Sequence, residues 1–215
     1  MSVWIVIVAA GSGSRFGGPK QYELLGSARI VDRSIATAGR VADRVVLVVP
    51  AADLDELRAQ YAPIPAVVVV AGGASRSESV RSGLAAVSDD AEVIVVHDAA
   101  RPLASPALFE QVIAAVAAGA DAAVPGVAVS DSLRRIDGGA VDRTGVVAVQ
   151  TPQAFRAQML RAAHRGQPDA SDDATLVEVI GGKVEIVPGE STNFKITTAH
   201  DLMVARMLVA AEGAS

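Results

Sequence analysis

Apolar runs rich in valine and isoleucine recur at Trp4 to Ala9, Val45 to Val49, Ala66 to Ala71, Val93 to Val96 and Ala122 to Pro125. Each is far too short to cross a membrane and ends at turn-forming or polar residues, which reads as a strand buried on both faces. Helical patterns fill most of the intervals. Ser75 with Glu78 makes a capping-box start for "SVRSGLAAV", and Ser105 with Pro106 opens "PALFEQVIAAVAAG", which Gly119 closes. The alternation predicts an α/β domain whose mostly parallel sheet carries helices on both faces.

One segment breaks the alternation. In "SDSLRRIDGGAVDRTGVVAVQTP", Asp137, Gly138 and Gly139 separate two short, polar-rich strands in the manner of a hairpin. A two-stranded hairpin is marginal in water by itself, so residues 131–147 need a surface to pack on. Two are open to it: its own sheet, or a second subunit. The "AAEGAS" at the end reads as a frayed terminus.

Composition narrows the chemistry. A chain of 215 residues, 51% hydrophobic, is long enough for one large domain spanning 1–215 with an ample core. It has no cysteine, which excludes a disulfide framework, thiolate zinc sites, iron–sulfur clusters and a cysteine nucleophile. With no membrane-length apolar run and no signal-type N-terminus, a cytoplasmic protein with no membrane partner is expected. A net charge of −5 without a long basic run leaves no footprint for nucleic acid. Any polyanion bound here must be small and met locally.

The place for it is the loop in "IVIVAAGSGSRFGGPKQ", residues Ile5 to Gln21. Ligands of doubly wound sheets collect beyond the carboxyl ends of the strands, where glycines let backbone N–H groups approach phosphate oxygens. The dinucleotide fingerprint G-x-G-x-x-G fails, because Gly11 and Gly13 are followed by Arg15 and Phe16 and the next glycine is Gly17. An oxidoreductase is accordingly the last-ranked reading. A Walker loop fails as well, since Lys20 sits between Pro19 and Gln21.

The loop "AAGSGSRFGGPKQ", followed in order by "AGGASRSESVRSGL", "HDAARP", "VDRTG", "TPQAF" and "NFKIT", resembles the 2-C-methyl-D-erythritol 4-phosphate cytidylyltransferases of the non-mevalonate isoprenoid pathway. The likeness runs over almost the whole chain, and the ordered set is far more specific than any single motif. It implies a Rossmann-like α/β fold, CTP as donor, a polyol phosphate as acceptor, Mg2+, release of pyrophosphate, and a homodimer joined by a protruding β-hairpin arm.

Residue roles follow from that resemblance. A phosphate monoester is already largely dianionic near neutral pH, so the attacking oxygen needs no general base, and the problem is charge. Arg15 and Lys20 are expected against the α-phosphate and the leaving pyrophosphate. Arg143 and Lys195 are expected to hold the acceptor phosphate, Arg143 from the hairpin and so from the neighbouring subunit if the arm crosses over. As isolated residues Arg143 and Lys195 would read as surface cations, above which the motif context lifts them, and a flexible turn with two solvated cations is the lesser reading of Arg15 and Lys20.

The nucleotide is expected along Ala9, Ala10, Gly11, Ser12 and Gly13, with Gly72, Gly73 and Ser79 at the base and Asp98, Ala99 and Arg101 nearby. Asp98 is the candidate magnesium ligand, or else a turn cap. Asp98, Thr151 and Ser171 join Arg143 and Lys195 on the acceptor side. Two positions depart from the family pattern: Ala74, where aspartate is frequent, and Ser171, where threonine is common. The alternatives are a cytidylyltransferase for another polyol phosphate such as ribitol 5-phosphate, and a nonenzymatic nucleotide-binding regulator on the same fold.

Overall fold

A computed structural model describes residues 1–212. Strand β1 (Val3–Val8) leads through the glycine loop and a 3₁₀ turn (Lys20–Tyr22) to a small ribbon of β2 (Leu24–Leu25) and β3 (Ala28–Arg29), then α1 (Ile30–Ala38). Next come β4 (Arg44–Val49), α2 (Leu54–Tyr61), β5 (Val67–Ala71), α3 (Arg76–Ala85), β6 (Val93–Asp98), α4 (Pro106–Ala117) and β7 (Ala122–Ala128). The remainder holds β8 (Leu133–Arg134), β9 (Ala140–Val141), β10 (Val147–Val149), β11 (Gln153–Arg156), α5 (Ala157–Ala163), α6 (Asp173–Val179), β12 (Val184–Pro188) and α7 (Ala199–Glu212). All five expected strands form. The final "AAEGAS" is not all frayed: its first three residues belong to α7, while Gly213 to Ser215 lie outside the described residues.

The central strands show why their sequences are nearly unbroken runs of valine and isoleucine. Ile5, Ile7, Val45, Leu47 and Val49 point into a core capped by α1, α2 and α4, whereas Val6, Val46 and Val48 point into a second core with Val80 and Leu84 of α3, Leu160 of α5 and Leu176 of α6. Both faces are dry, so neither parity of the strand can be polar. Gly83 of α3 lets the helix lie on the sheet: a Cβ there would stand 2.4 Å from Val6 Cγ1.

Strand order places the site. β1 lies between parallel β4 and β6, and β4 is followed outward by β5. The chain therefore runs outward from β1 through β4 to β5 and then crosses back to β6 on the other side of β1. That reversal opens a crevice where Val8 and Asp98, paired in register, end their strands. Antiparallel β11 follows β6 and brings in β7, whose flanks also pair with β10 and with parallel β12. Val149 faces Gly126 while Ala154 faces Ala123, so five steps on one strand span three on the other. The extra residues bulge at Gln150 to Pro152, beside the crevice.

The hairpin forms as β8 and β9, which pair with each other in a sheet of their own and not with the main one. Ile136 near its tip is fully exposed. Arg143 lies past β9, in the connection to β10, and not on the return strand; Val147, the last residue assigned to the arm, has already rejoined the main sheet.

Candidate active site

At the crevice, a cavity of about 450 Å³ is bounded by the loop after β1, the start of α3, the end of β6 and the segment carrying Lys195. The loop is held by its own backbone: Gly13, at φ +66°, offers its carbonyl to the N–H groups of Phe16 (2.8 Å) and Gly17 (3.0 Å). A side chain on Gly13 would collide with the Gly18 carbonyl. This coil sends Arg15 and Lys20 to one rim of the cavity.

The opposite wall is the entry to α3. Ser75 caps the helix by accepting the Glu78 N–H (3.1 Å), and the Glu78 carboxylate reaches back to the Ala74 N–H (2.7 Å), one residue before the cap. The Ser79 hydroxyl accepts from Gly73 N–H (3.2 Å) and donates to the Ser75 carbonyl (2.9 Å), so it holds the turn while lining the cavity. Gly72 sits just behind, where a Cβ would come 2.5 Å from that of Ala10 and 2.8 Å from Ser79 Oγ. Only glycine lets these two walls meet.

The floor is ionic. Asp98 Oδ2 accepts from Lys195 Nζ at 2.6 Å, and Asp98 Oδ1 accepts from Arg76 Nε at 3.3 Å. Burial by itself would raise the Asp98 carboxyl, but the charges of Arg76 and Lys195 outweigh it and hold it far below the usual carboxylate range. Arg76 Nη1 donates on to Asp173 Oδ2 at 2.7 Å, and Asp173 Oδ1 lies 3.0 Å from His164 Nε2. Burial, then the charges of Lys195 and Arg15, pull the Lys20 ammonium below its ordinary value. The rim is thus crowded with positive charge, which Asp98 and Asp201 only partly offset at Lys20.

The segment bearing Lys195 is pinned by main-chain contacts. Ile196 N–H donates to the Ala100 carbonyl (2.8 Å), Arg101 Nη1 to the Asn193 carbonyl (2.8 Å), and Asn193 Nδ2 to the Thr151 carbonyl (2.9 Å). The Thr151 hydroxyl accepts the Asp98 N–H (3.0 Å) and lies 3.2 Å from His97 Nδ1. Burial pushes His97 down to about 4, so it is neutral at pH 7.

The cavity therefore gathers Ala9, Ala10, Gly11, Ser12, Gly13, Arg15, Lys20, Gly73, Ser79, Asp98, Ala99 and Lys195. Five expected residues do not line it. Gly72 lies behind the wall; Arg101 and Thr151 brace the Lys195 segment and Asp98 from outside; Ser171 stands in an exposed bend before α6. The Arg143 guanidinium donates to the carbonyls of Val129, Ser130 and Asp131 at the root of the arm. Arg76 is the lining cation that sequence reasoning passed over, although "AGGASRSESVRSGL" contains it. Its signal was a charged residue directly after a serine cap at a strand's carboxyl end.

Among the described residues no group of three or more histidine or acidic side chains forms a metal cage. Asp98 is, among the described residues, the single carboxylate lining the cavity. Both its oxygens already accept from Lys195 and Arg76, so the donor set fits a magnesium held mainly by phosphate oxygens and water with Asp98 as its one protein carboxylate.

Residues 3–211 match the family model described as 2-C-methyl-D-erythritol 4-phosphate cytidylyltransferase, IspD. A protein of that name from Nocardia farcinica is 42% identical over 217 residues, covering 97% of this chain and 94% of the relative. A "Bifunctional enzyme IspD/IspF" from Clavibacter michiganensis is 41% identical over 221 residues; the alignment covers 96% of this chain and 54% of that protein, so this chain spans about half its length. Among solved structures, the cytidylyltransferase of Thermus thermophilus superposes with a TM-score of 0.81 at 36% identity, covering 98% of this chain and all of that one. The Anaerococcus prevotii 4-diphosphocytidyl-2C-methyl-D-erythritol synthase gives 0.84 at 28% identity, covering 97% of this chain and 98% of that one.

Proposed function

We propose a reaction from one premise: this chain belongs to the IspD family of 2-C-methyl-D-erythritol 4-phosphate cytidylyltransferases. It transfers CMP from CTP to the phosphate of 2-C-methyl-D-erythritol 4-phosphate. An acceptor phosphate oxygen bonds to the α-phosphorus of CTP as the bond to the bridging oxygen of the β-phosphate breaks, giving 4-diphosphocytidyl-2-C-methyl-D-erythritol and pyrophosphate. The observation that carries this reading is the cavity itself, where Arg15, Lys20, Arg76 and Lys195 surround one carboxylate beside a glycine-lined wall.

The residues divide the charge problem. Arg15 and Lys20, on the loop rim, stabilise negative charge on the α-phosphate and the leaving pyrophosphate. Lys195, across the floor, takes the acceptor phosphate. The backbone of Ala9 to Gly13 cradles the triphosphate, and Gly73 with Ser79 receives the base. Asp98 would hold magnesium, which when bound neutralises charge shared between the phosphates. No general base is required, in keeping with a neutral, buried His97.

Arg143 reaches an acceptor phosphate only from a second copy, in this reading. The free-standing β8–β9 ribbon, its exposed Ile136 and the engagement of Arg143 at the root of the arm, not in the lining of its own cavity, all support a homodimer in which each arm completes the neighbour's site. A cytoplasmic location, where CTP is available, is part of the proposal. No helix among the described residues is long and apolar enough to cross a membrane.

An acceptor panel tests the reaction. With CTP and magnesium, pyrophosphate release is expected with 2-C-methyl-D-erythritol 4-phosphate and a much slower release with ribitol 5-phosphate. A preference for ribitol 5-phosphate would reassign the acceptor. CTP binding with no pyrophosphate from either would leave a regulator.

A further inference from the structure

We propose that Asp173 and His164, both outside the cavity, are positioning residues that fix the Arg76 guanidinium on Asp98. The inference rests on cytidylyl transfer as the reaction. Four side chains from four elements form one unbroken line: Asp98 at the end of β6, Arg76 at the start of α3, Asp173 at the start of α6 and His164 just past α5, with contacts of 3.3, 2.7 and 3.0 Å. Only Asp98 and Arg76 touch the cavity.

Arg76 is not where helix electrostatics would put a cation. It is the first residue of α3, at the end that favours negative charge. It is held there by its two carboxylate partners, one on each arm of the guanidinium. Because the fork is rigid, fixing one arm on Asp173 sets the direction of the other toward Asp98. Asp173 is 1% exposed and both its oxygens are engaged, one by Arg76 and one by His164, so it has little freedom to turn. The result divides Asp98 cleanly: Oδ1 faces Arg76 and Oδ2 faces Lys195. A buried ionic line of this kind is a poor source of stability, since apolar side chains of similar volume would serve as well, which points to geometry as its use.

The test uses the full chain, with thermal melting run on every variant and activity assayed below all melting midpoints. Asp173→Asn and His164→Leu are expected to lower kcat/KM about tenfold, as losses of supporting contacts around a charged site commonly do, whereas His164→Gln, which keeps a donor toward Asp173, stays within about twofold of wild type. Asp173→Asn added to Arg76→Ala should cost nothing further, because its effect passes through Arg76. In nitrogen-15 NMR, the Arg76 Nε–H should exchange slowly in wild type and His164→Gln and rapidly in Asp173→Asn. Equal losses from Asp173→Asn in both backgrounds, a lowered melting midpoint with unchanged kcat/KM, or an Arg76 signal indifferent to Asp173 would each overturn the proposal. Absence of pyrophosphate release by wild type would instead overturn the reaction, and the NMR arm would still decide the positioning.

Discussion

Lys20→Met removes a charge from the rim while keeping most of the aliphatic stem, and it should make the protein more stable and nearly inactive. Lys20 is half-buried, and burial, Lys195 and Arg15 all disfavour its charged form, with Asp98 and Asp201 opposing. Two like charges about 4 Å apart repel by roughly 4 kcal/mol at an effective dielectric of 20 and by about 1 kcal/mol in bulk water. At a solvated rim with two carboxylates in opposition, the lower figure applies, so the gain is about 1 kcal/mol. For a domain of this length that raises the melting midpoint by about 2 to 4 °C. The sign with pH is fixed: a lysine whose folded pKa is depressed is a liability while charged, and the liability fades as pH rises through the folded value toward about 10. The gap between variant and wild type should be widest near pH 7, narrow toward pH 10, and shrink in about 1 M salt. Turnover should fall on the order of a hundredfold or more. Melting curves across pH and salt, with a pyrophosphate assay beside them, check both halves. A variant that melts below wild type at pH 7, or a gain that ignores pH and salt, would refute the picture of a rim under charge repulsion.

Other residues give independent outcomes. Gly83→Ala places a methyl 2.4 Å from Val6 Cγ1 and 3.0 Å from Val48 Cγ2, so urea unfolding should show a loss of about 1 to 3 kcal/mol; an unchanged midpoint would deny the close approach of α3 to the sheet. Arg76→Met takes the shared cation from two buried carboxylates, leaving Asp98 with Lys195 and Asp173 with His164, and should cost about 3 kcal/mol at pH 7. Both carboxyls have depressed folded values, so their contribution is present above about pH 4 and lost as pH falls, and the deficit of Arg76→Met should narrow toward pH 3; a constant deficit in urea titrations at the two pH values counts against it. Lys195→Ala should raise KM for the phosphorylated acceptor and depress kcat with CTP affinity by calorimetry nearly unchanged; equal damage to both ligands contradicts its place on the acceptor side. Inactive Arg143→Ala and Arg15→Ala, mixed with subunit exchange verified by mass, should recover roughly a quarter of wild-type activity if each arm serves its neighbour, because half the dimers then hold one intact site. No recovery above the separate variants excludes the crossed arrangement.

What could be read from the chain depended on how local its cause was. Strands β1, β4 and β6 were legible because burial on both faces admits only apolar residues, and the caps at Ser75 and Ser105 because a cap is settled within four positions. β11 and β12 were not: Gln153 to Arg156 and Val184 to Pro188 mix polar with apolar residues, and their pairing with β6 and β7 is decided by tertiary contact. The loop cations, Asp98 and Lys195 could be nominated by motif and then found in one cavity. Arg101 and Thr151 stood in equally suggestive motifs, yet both act on backbone. A motif can carry residues that brace a site as well as residues that line its cavity, and the coordinates show which of them line it. The Asp173–His164 pair had no sequence signal, since nothing in local spacing connects residues 76, 98, 164 and 173.

A small third core gives the site a schedule. Leu25 and Ile30, shortly after Lys20, are fully buried against Ile196, Leu202 and Ala205, with Phe16, Phe194 and Val209 packed around them. Arg206 Nε adds a bond to the Leu24 carbonyl at 3.1 Å. The stretches bearing Lys20 and Lys195 are thus clasped together by residues as much as 182 positions apart. On a ribosome working at about 5 to 20 residues per second, the first stretch waits on the order of ten to forty seconds for its counterpart. For that interval β1, β4 and β5 can pair while Leu25 and Ile30 remain uncovered and the rim lacks its far wall. The far wall of the rim arrives late, only once α7 is laid down.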